Sequence, residues 1–210
     1  MLRKSLLSIG CLLLAASAAS AGVICYVTVD TSSLAGTNGA IDFNFNPGPL
    51  FTQAASVGIV NFSSDGTPGT ASTIGDVTGV LPSTITINNT NALNDYFTDF
   101  SFGNTLSFRV DFYGPAVDSP DGVSTSGSSF AFSMFSDAAG TVPALTTDSL
   151  NGYALTVDLN PDGTTALTKY SNETTTDLVT PEPATLPLAG ATLILFATWW
   201  NRRARIGRRR

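Results

Sequence analysis

The stretch Leu106-Ser107-Phe108-Arg109-Val110-Asp111-Phe112 alternates apolar and polar residues at every step. A period of two lines one face of a β-strand and scatters around a helix, so this pattern commits the segment to a sheet with one buried face. The same signal recurs along the chain. Val23–Asp30 is rich in Val, Ile and Tyr, and Ile41-Asp42-Phe43-Asn44-Phe45-Asn46 alternates until Pro47-Gly48-Pro49 stops it. Ser56–Phe62, Thr84–Asn88 and Phe130–Met134 read the same way. Short runs separated by Gly, Pro, Asn and Asp predict an all-β fold: a β-sandwich, jelly-roll-like, of about eight to ten strands. No segment of helical period interrupts residues 22–170.

One hairpin is legible in detail. Tyr153–Leu159 runs into Asn160-Pro161-Asp162-Gly163 and then Thr164–Tyr170. Pro at the second position and Gly at the fourth suit a type I turn followed by a bulge. Residues 171–180 are polar and Thr-rich without an apolar pattern, which predicts a linker after a sandwich domain of 22–170. Twelve of the thirteen phenylalanines lie in the body, enough to fill a core at this length. Past residue 21 the sole cysteine is Cys25, so no internal disulfide can form there, and a buried place on the first strand is expected for it.

The two ends are unlike the body. Between Gly22 and Thr180 only Arg109 and Lys169 oppose fifteen acids, whereas the other eight basic residues lie in the first four or last nine positions. So acidic a body repels phosphate backbones, which argues against nucleic acid as a partner. Residues 1–21 read as a signal peptide: Arg3 and Lys4, then the apolar Leu6–Ala16, then small residues Ala19 and Ala21 at the −3 and −1 positions for signal peptidase. At the other end, Ala184–Trp200 is 17 residues without a charge. As a helix it would measure about 26 Å, just enough for a bilayer core. Trp199 and Trp200 sit where an aromatic belt meets headgroups, and Arg202, Arg203, Arg205 and three further arginines follow. The positive-inside rule leaves residues 201–210 in the cytoplasm and the acidic body outside.

The tail Pro181-Glu182-Pro183, then Ala184-Thr185-Leu186, the apolar run and the arginine cluster resembles the PEP-CTERM sorting signal of Gram-negative envelopes. The same tail motif also circulates under an ice-binding-protein C-terminal label, which says nothing about the body. The resemblance implies an exported protein, anchored in the membrane, whose tail is handled near Pro181–Pro183 by an exosortase-like protease and which ends at the cell surface or in the extracellular matrix. The body resembles a family of small PEP-CTERM proteins without an assigned activity. Val29–Leu34, Asp42–Gly48, Ala92–Tyr96 and Phe130–Ser133 carry that likeness.

The residues themselves exclude much chemistry. The chain has no histidine, so Ser-His-Asp and Cys-His machinery and histidine-held zinc are ruled out. Phosphate-binding and nucleophile-elbow motifs are also missing, and no cofactor is expected. Asp158-Leu159-Asn160-Pro161-Asp162-Gly163 matches the first half of a calcium loop, with Asp158, Asn160 and Asp162 as oxygen ligands. Position twelve is Lys169 instead of the bidentate Glu, so the turn alone accounts for these residues. Three functions stay open. The first is a non-enzymatic envelope or matrix protein. The second is an exopolysaccharide-binding module with Tyr96, Tyr113 or Tyr153 as the stacking platform. The third is a hydrolase using two carboxylates from Asp95, Asp99, Asp111 and Asp118.

Overall fold

The computed structural model of the protein describes residues 22–180. The leader and tail lie outside them, and with them Ala19, Ala21, Pro181, Glu182, Pro183, Trp199, Trp200, Arg202, Arg203 and Arg205. Among the described residues no helix is long and apolar enough to cross a membrane.

Twelve strands form within the described residues: β1 (Val23–Asp30), β2 (Asn38–Pro47), β3 (Ser56–Ser64), β4 (Thr67–Ile74), β5 (Val77–Thr78), β6 (Ile85–Asn88), β7 (Asp95–Ser101), β8 (Thr105–Tyr113), β9 (Ser128–Phe135), β10 (Tyr153–Leu159), β11 (Thr165–Lys169) and β12 (Thr174–Val179). A 3-10 turn at Ser32–Leu34 and a one-turn helix, α1 (Pro115–Asp118), are the helical pieces among them. The strands make two six-stranded sheets. The first has the order β12-β1-β8-β3-β6-β5 and the second β11-β10-β9-β2-β7-β4. Every ladder between named strands is antiparallel. Only β5–β6, β9–β10 and β10–β11 connect neighbours within a sheet; each other connection crosses to the opposite sheet.

Alternation decides which side chains face inward. On β8, Leu106, Phe108, Val110 and Phe112 are buried, while Arg109, Asp111 and Tyr113 face out. On β2, Ile41, Phe43 and Phe45 are buried and Asp42, Asn44 and Asn46 face out. The inner faces meet through aromatic rings. Phe43 of the second sheet stands edge-on to Phe108 of the first at 5.1 Å, and Phe108 meets Phe132 at 4.9 Å. Phe112 closes on Phe45 and Phe130 in the same way. Edge-to-face pairs of this kind add about 0.5–1.5 kcal/mol beyond the area they bury.

Two sequence expectations need correction. Residues 171–180 are not a linker: β12 pairs with β1 from Val29↔Thr174 to Ile24↔Val179, so the sandwich runs to Val179. The polar look of the segment misleads, because threonine is β-branched and fits a pleated surface. Thr174 is buried and Thr176 and Leu178 are half-buried, alternating with exposed neighbours. The strand number also exceeds eight to ten, because the polar β4, the two-residue β5 and β12 carry little apolar signal. Cys25 lies on β1 at 0% exposure, as expected. Burial, and then Asp177, push its thiol up to about 11, so it stays protonated and inert at neutral pH.

Candidate functional site

The outer face of the second sheet carries a row of polar side chains fixed by register. Asn44 on β2 lies opposite Ala131 on β9, which lies opposite Thr156 on β10. One step along, Asn46, Ser129 and Asp158 stand abreast. Of these, Asn44, Asn46, Ser129, Ala131 and Asp158, with Tyr153, Pro47 and Asn160, line an open groove of ≈ 390 Å³. Its end is drawn together where Gly48 N–H donates to the Gly127 carbonyl at 2.7 Å. No side chain fits there: a Cβ on Gly48 would lie 1.8 Å from Ser126 Oγ, and one on Gly127 2.0 Å from the Leu159 carbonyl oxygen.

The amides of β2 form a ladder. Asn46 Nδ2 donates to Asn44 Oδ1 at 3.2 Å, and Asn44 Nδ2 donates to Asp42 Oδ2 at 3.3 Å. Asn46 Oδ1 accepts the Asn94 N–H at 2.7 Å. Residues i and i+2 of a strand share a face, so three polar residues in this spacing support each other without help from the core. The ladder fixes the amide orientations of two groove residues beside a small one, Ala131. Tyr153 borders it as a half-buried ring, and burial together with the Asp42 carboxyl raises its phenol above the usual range.

The ladder ends on a carboxyl pair. Asp42 is opposite Phe97 of β7, while Asn44 is opposite Asp95, which sets Asp42 and Asp95 on one diagonal. Burial, then a hydrogen bond and charge from Asp95, hold the Asp42 carboxyl well above the ordinary carboxylate range. A second carboxyl beside a buried one disfavours its ionised form, because like charges repel strongly out of water. Across β9, Ser133 faces Asp42; Ser133 Oγ and Asp42 Oδ1 are both buried without a partner.

The other sequence candidates fall in different places. Tyr96 is fully buried on the inner face, and its hydroxyl accepts the Leu81 N–H at 3.0 Å, so it cannot serve as an exposed platform. Tyr113 is 40% exposed, on the outer face of the first sheet. Asp111 there holds Arg109 at 2.7 Å. Asp118 accepts the Gly114 N–H beside α1. Asp99 and Asp95 are four residues apart along β7, about 13 Å at strand rise. None of the four nominated aspartates therefore meets another as a close pair; Asp95 meets Asp42, which was not among them. In the calcium-like turn, Asp162 Oδ1 accepts both the N–H and the hydroxyl of Thr164, and the Asn160 amide donates to that hydroxyl. Asp158 projects from the sheet into the groove lining instead. Among the described residues no cluster of three or more acidic or thiol side chains is placed to hold a metal.

The groove escaped sequence reading because Asn44 and Asn46 look like the solvated half of an ordinary strand. Their only local signal is amides two residues apart beside Asp42. No protein-family model, curated protein or solved structure matches the chain.

Proposed function

We propose that this chain is an exported, non-enzymatic envelope or matrix protein that holds exopolysaccharide in the outer groove of its second sheet. The observation that carries the reading is the groove itself: a fixed Asn44–Asn46 amide ladder, the Asp158 carboxylate and Ser129 beside a half-exposed Tyr153 ring. Sugars present hydroxyls that need paired donors and acceptors, and flat C–H faces that stack on aromatic rings. Both are supplied here with little to reorganise. No basic residue lines the groove, so a neutral glycan suits it better than an anionic one. Asp42 and Asp95 lie beside the groove and are absent from its lining, which favours binding over hydrolysis.

Delivery rests on the ends of the chain. The leader directs export through signal peptidase. The tail anchors the body outside the cytoplasm until an exosortase-like protease handles the Pro181–Pro183 region. The many crossings between sheets fit a jelly-roll-like winding. The test is co-sedimentation of the exported protein with insoluble neutral polysaccharides. Tyr153→Ala and Asn44→Ala should each weaken retention about tenfold, equivalent to about 1.4 kcal/mol. Retention of both variants equal to the parent's would remove the groove from the reading.

A further inference from the structure

Val179, the last residue of β12, stands opposite Ile24 near the start of β1, and Val23 stands opposite Phe112 near the end of β8. Tyr113 in turn pairs with Ser56, the first residue of β3. The chain therefore leaves the body at the end of the sandwich where β1 and β3 begin and β8 stops. Two connections are joined at that same end. Phe51 O accepts the N–H groups of both Thr125 and Ser126, Ala54 O accepts that of Ala116, and the Gln53 side chain bonds Ser119 and Asp121. From these joined connections Leu50, Phe51 and Val123 project at 65%, 63% and 67% exposure. Asp121 accepts the N–H groups of Val123 and Ser124, which fixes Val123 in its outward position. Two adjacent large apolar residues and a third on a linked loop thus stand mostly exposed on the body.

The distance to the membrane is set by the sequence. Only Thr180–Pro183 separates β12 from the uncharged run that begins at Ala184, and four extended residues reach at most about 14 Å. β12 and β3 are three strands apart, about 14 Å across the sheet. A body tethered so closely at this end must bring the end near the bilayer surface. We propose that Leu50, Phe51 and Val123 form a docking tip that inserts into the outer leaflet while the tail is anchored, a proposal that rests on the anchored-tail reading. Such side chains typically reach about 5–10 Å into the headgroup and acyl boundary. The tip also carries Asp118 and Asp121 and no basic residue, so its partner is a zwitterionic lipid surface.

The test uses the full chain with Cys11→Ser, reconstituted in phosphatidylcholine vesicles; Cys25 is buried and does not label. Phe51→Cys, Val123→Cys and Leu150→Cys each carry an environment-sensitive fluorophore. Leu150 is 87% exposed on the β9–β10 connection at the far end of the sandwich. Lipids brominated near the headgroup end of the acyl chains should roughly halve emission at 51 and 123, given insertion to that depth, and leave 150 unchanged. Vesicle flotation with no quenching at 51 and 123 overturns the docking tip and leaves the anchor standing. Bright emission there without bromolipid quenching assigns the tip to the tail segment or a second copy, and likewise overturns it. Failure to float overturns the anchor and the docking tip with it.

Discussion

Replacing Asp42 by Asn tests the carboxyl pair at the end of the amide ladder. The folded state holds the Asp42 proton more tightly than the unfolded chain does, because burial and the adjoining Asp95 disfavour its ionised form. Above the ordinary carboxylate value of about 3.9, native protein therefore binds more protons than unfolded protein. Each such proton lowers stability by up to about 1.36 kcal/mol per pH unit. From pH 4 upward the parent should therefore lose stability from this source. Asn keeps the acceptor that Asn44 uses and cannot ionise, so the variant should lack the loss. Six other aspartates, Asp30, Asp65, Asp121, Asp137, Asp148 and Asp162, have carboxyls held low by hydrogen bonds, all but Asp65 to groups within their own loops. Asp65, bonded by the Thr105 and Asn104 N–H groups, is held down at about 2. Their stabilising share is lost as pH falls, equally in parent and variant, and cancels in the difference. Urea unfolding followed by circular dichroism at pH 4, 5.5 and 7 measures that difference. The variant should gain on the parent as pH rises. A difference independent of pH would refute the raised Asp42 carboxyl.

Gly163 sits at φ +81°, and a Cβ there would lie 2.7 Å from Pro120 Cγ and 3.3 Å from the Ala116 carbonyl oxygen. Gly163→Val should cost at least about 1–2 kcal/mol, and an unchanged melting temperature would count against the turn. Phe43→Ala empties the centre of the ring cluster and should cost about 3–5 kcal/mol, while Leu150→Ala stays within about 0.5 kcal/mol; urea midpoints compare the two. Glu182→Ala with Pro183→Ala leaves the 17-residue apolar run intact. That variant should stay membrane-bound and unprocessed in a host with the matching protease, and processing like the parent's on a gel would reduce the tail to an anchor.

Strands whose two faces differ in polarity were legible in the sequence. β8, β10 and β1 emerge within a residue of their expected bounds, because Leu106–Phe112, Tyr153–Leu159 and Val23–Asp30 alternate or are rich in β-branched residues. β7 was hidden. Its aspartates and Tyr96 read locally as chemistry, whereas Tyr96, Thr98 and Phe100 are the inward half of an ordinary strand. The Asp42–Asp95 pair is diagonal across a ladder between residues 53 positions apart. Nothing local encodes it; it exists only once register is set. Asp158 reads as a loop ligand in the sequence, and its place is in the groove because β10 pairs with β9.

The pairing of β12 with β1 also decides how the body bears load. A pull through Thr180 away from the sandwich acts lengthwise on β12 at its leading end. Antiparallel hydrogen bonds run perpendicular to the strands. Such a force shears the six register pairs from Val29↔Thr174 to Ile24↔Val179 together and does not open them in turn. A tethered body dragged by a polymer it holds would resist with the whole strand at once, and a tail cut at Pro181–Pro183 would release it without drawing any strand from the sheet.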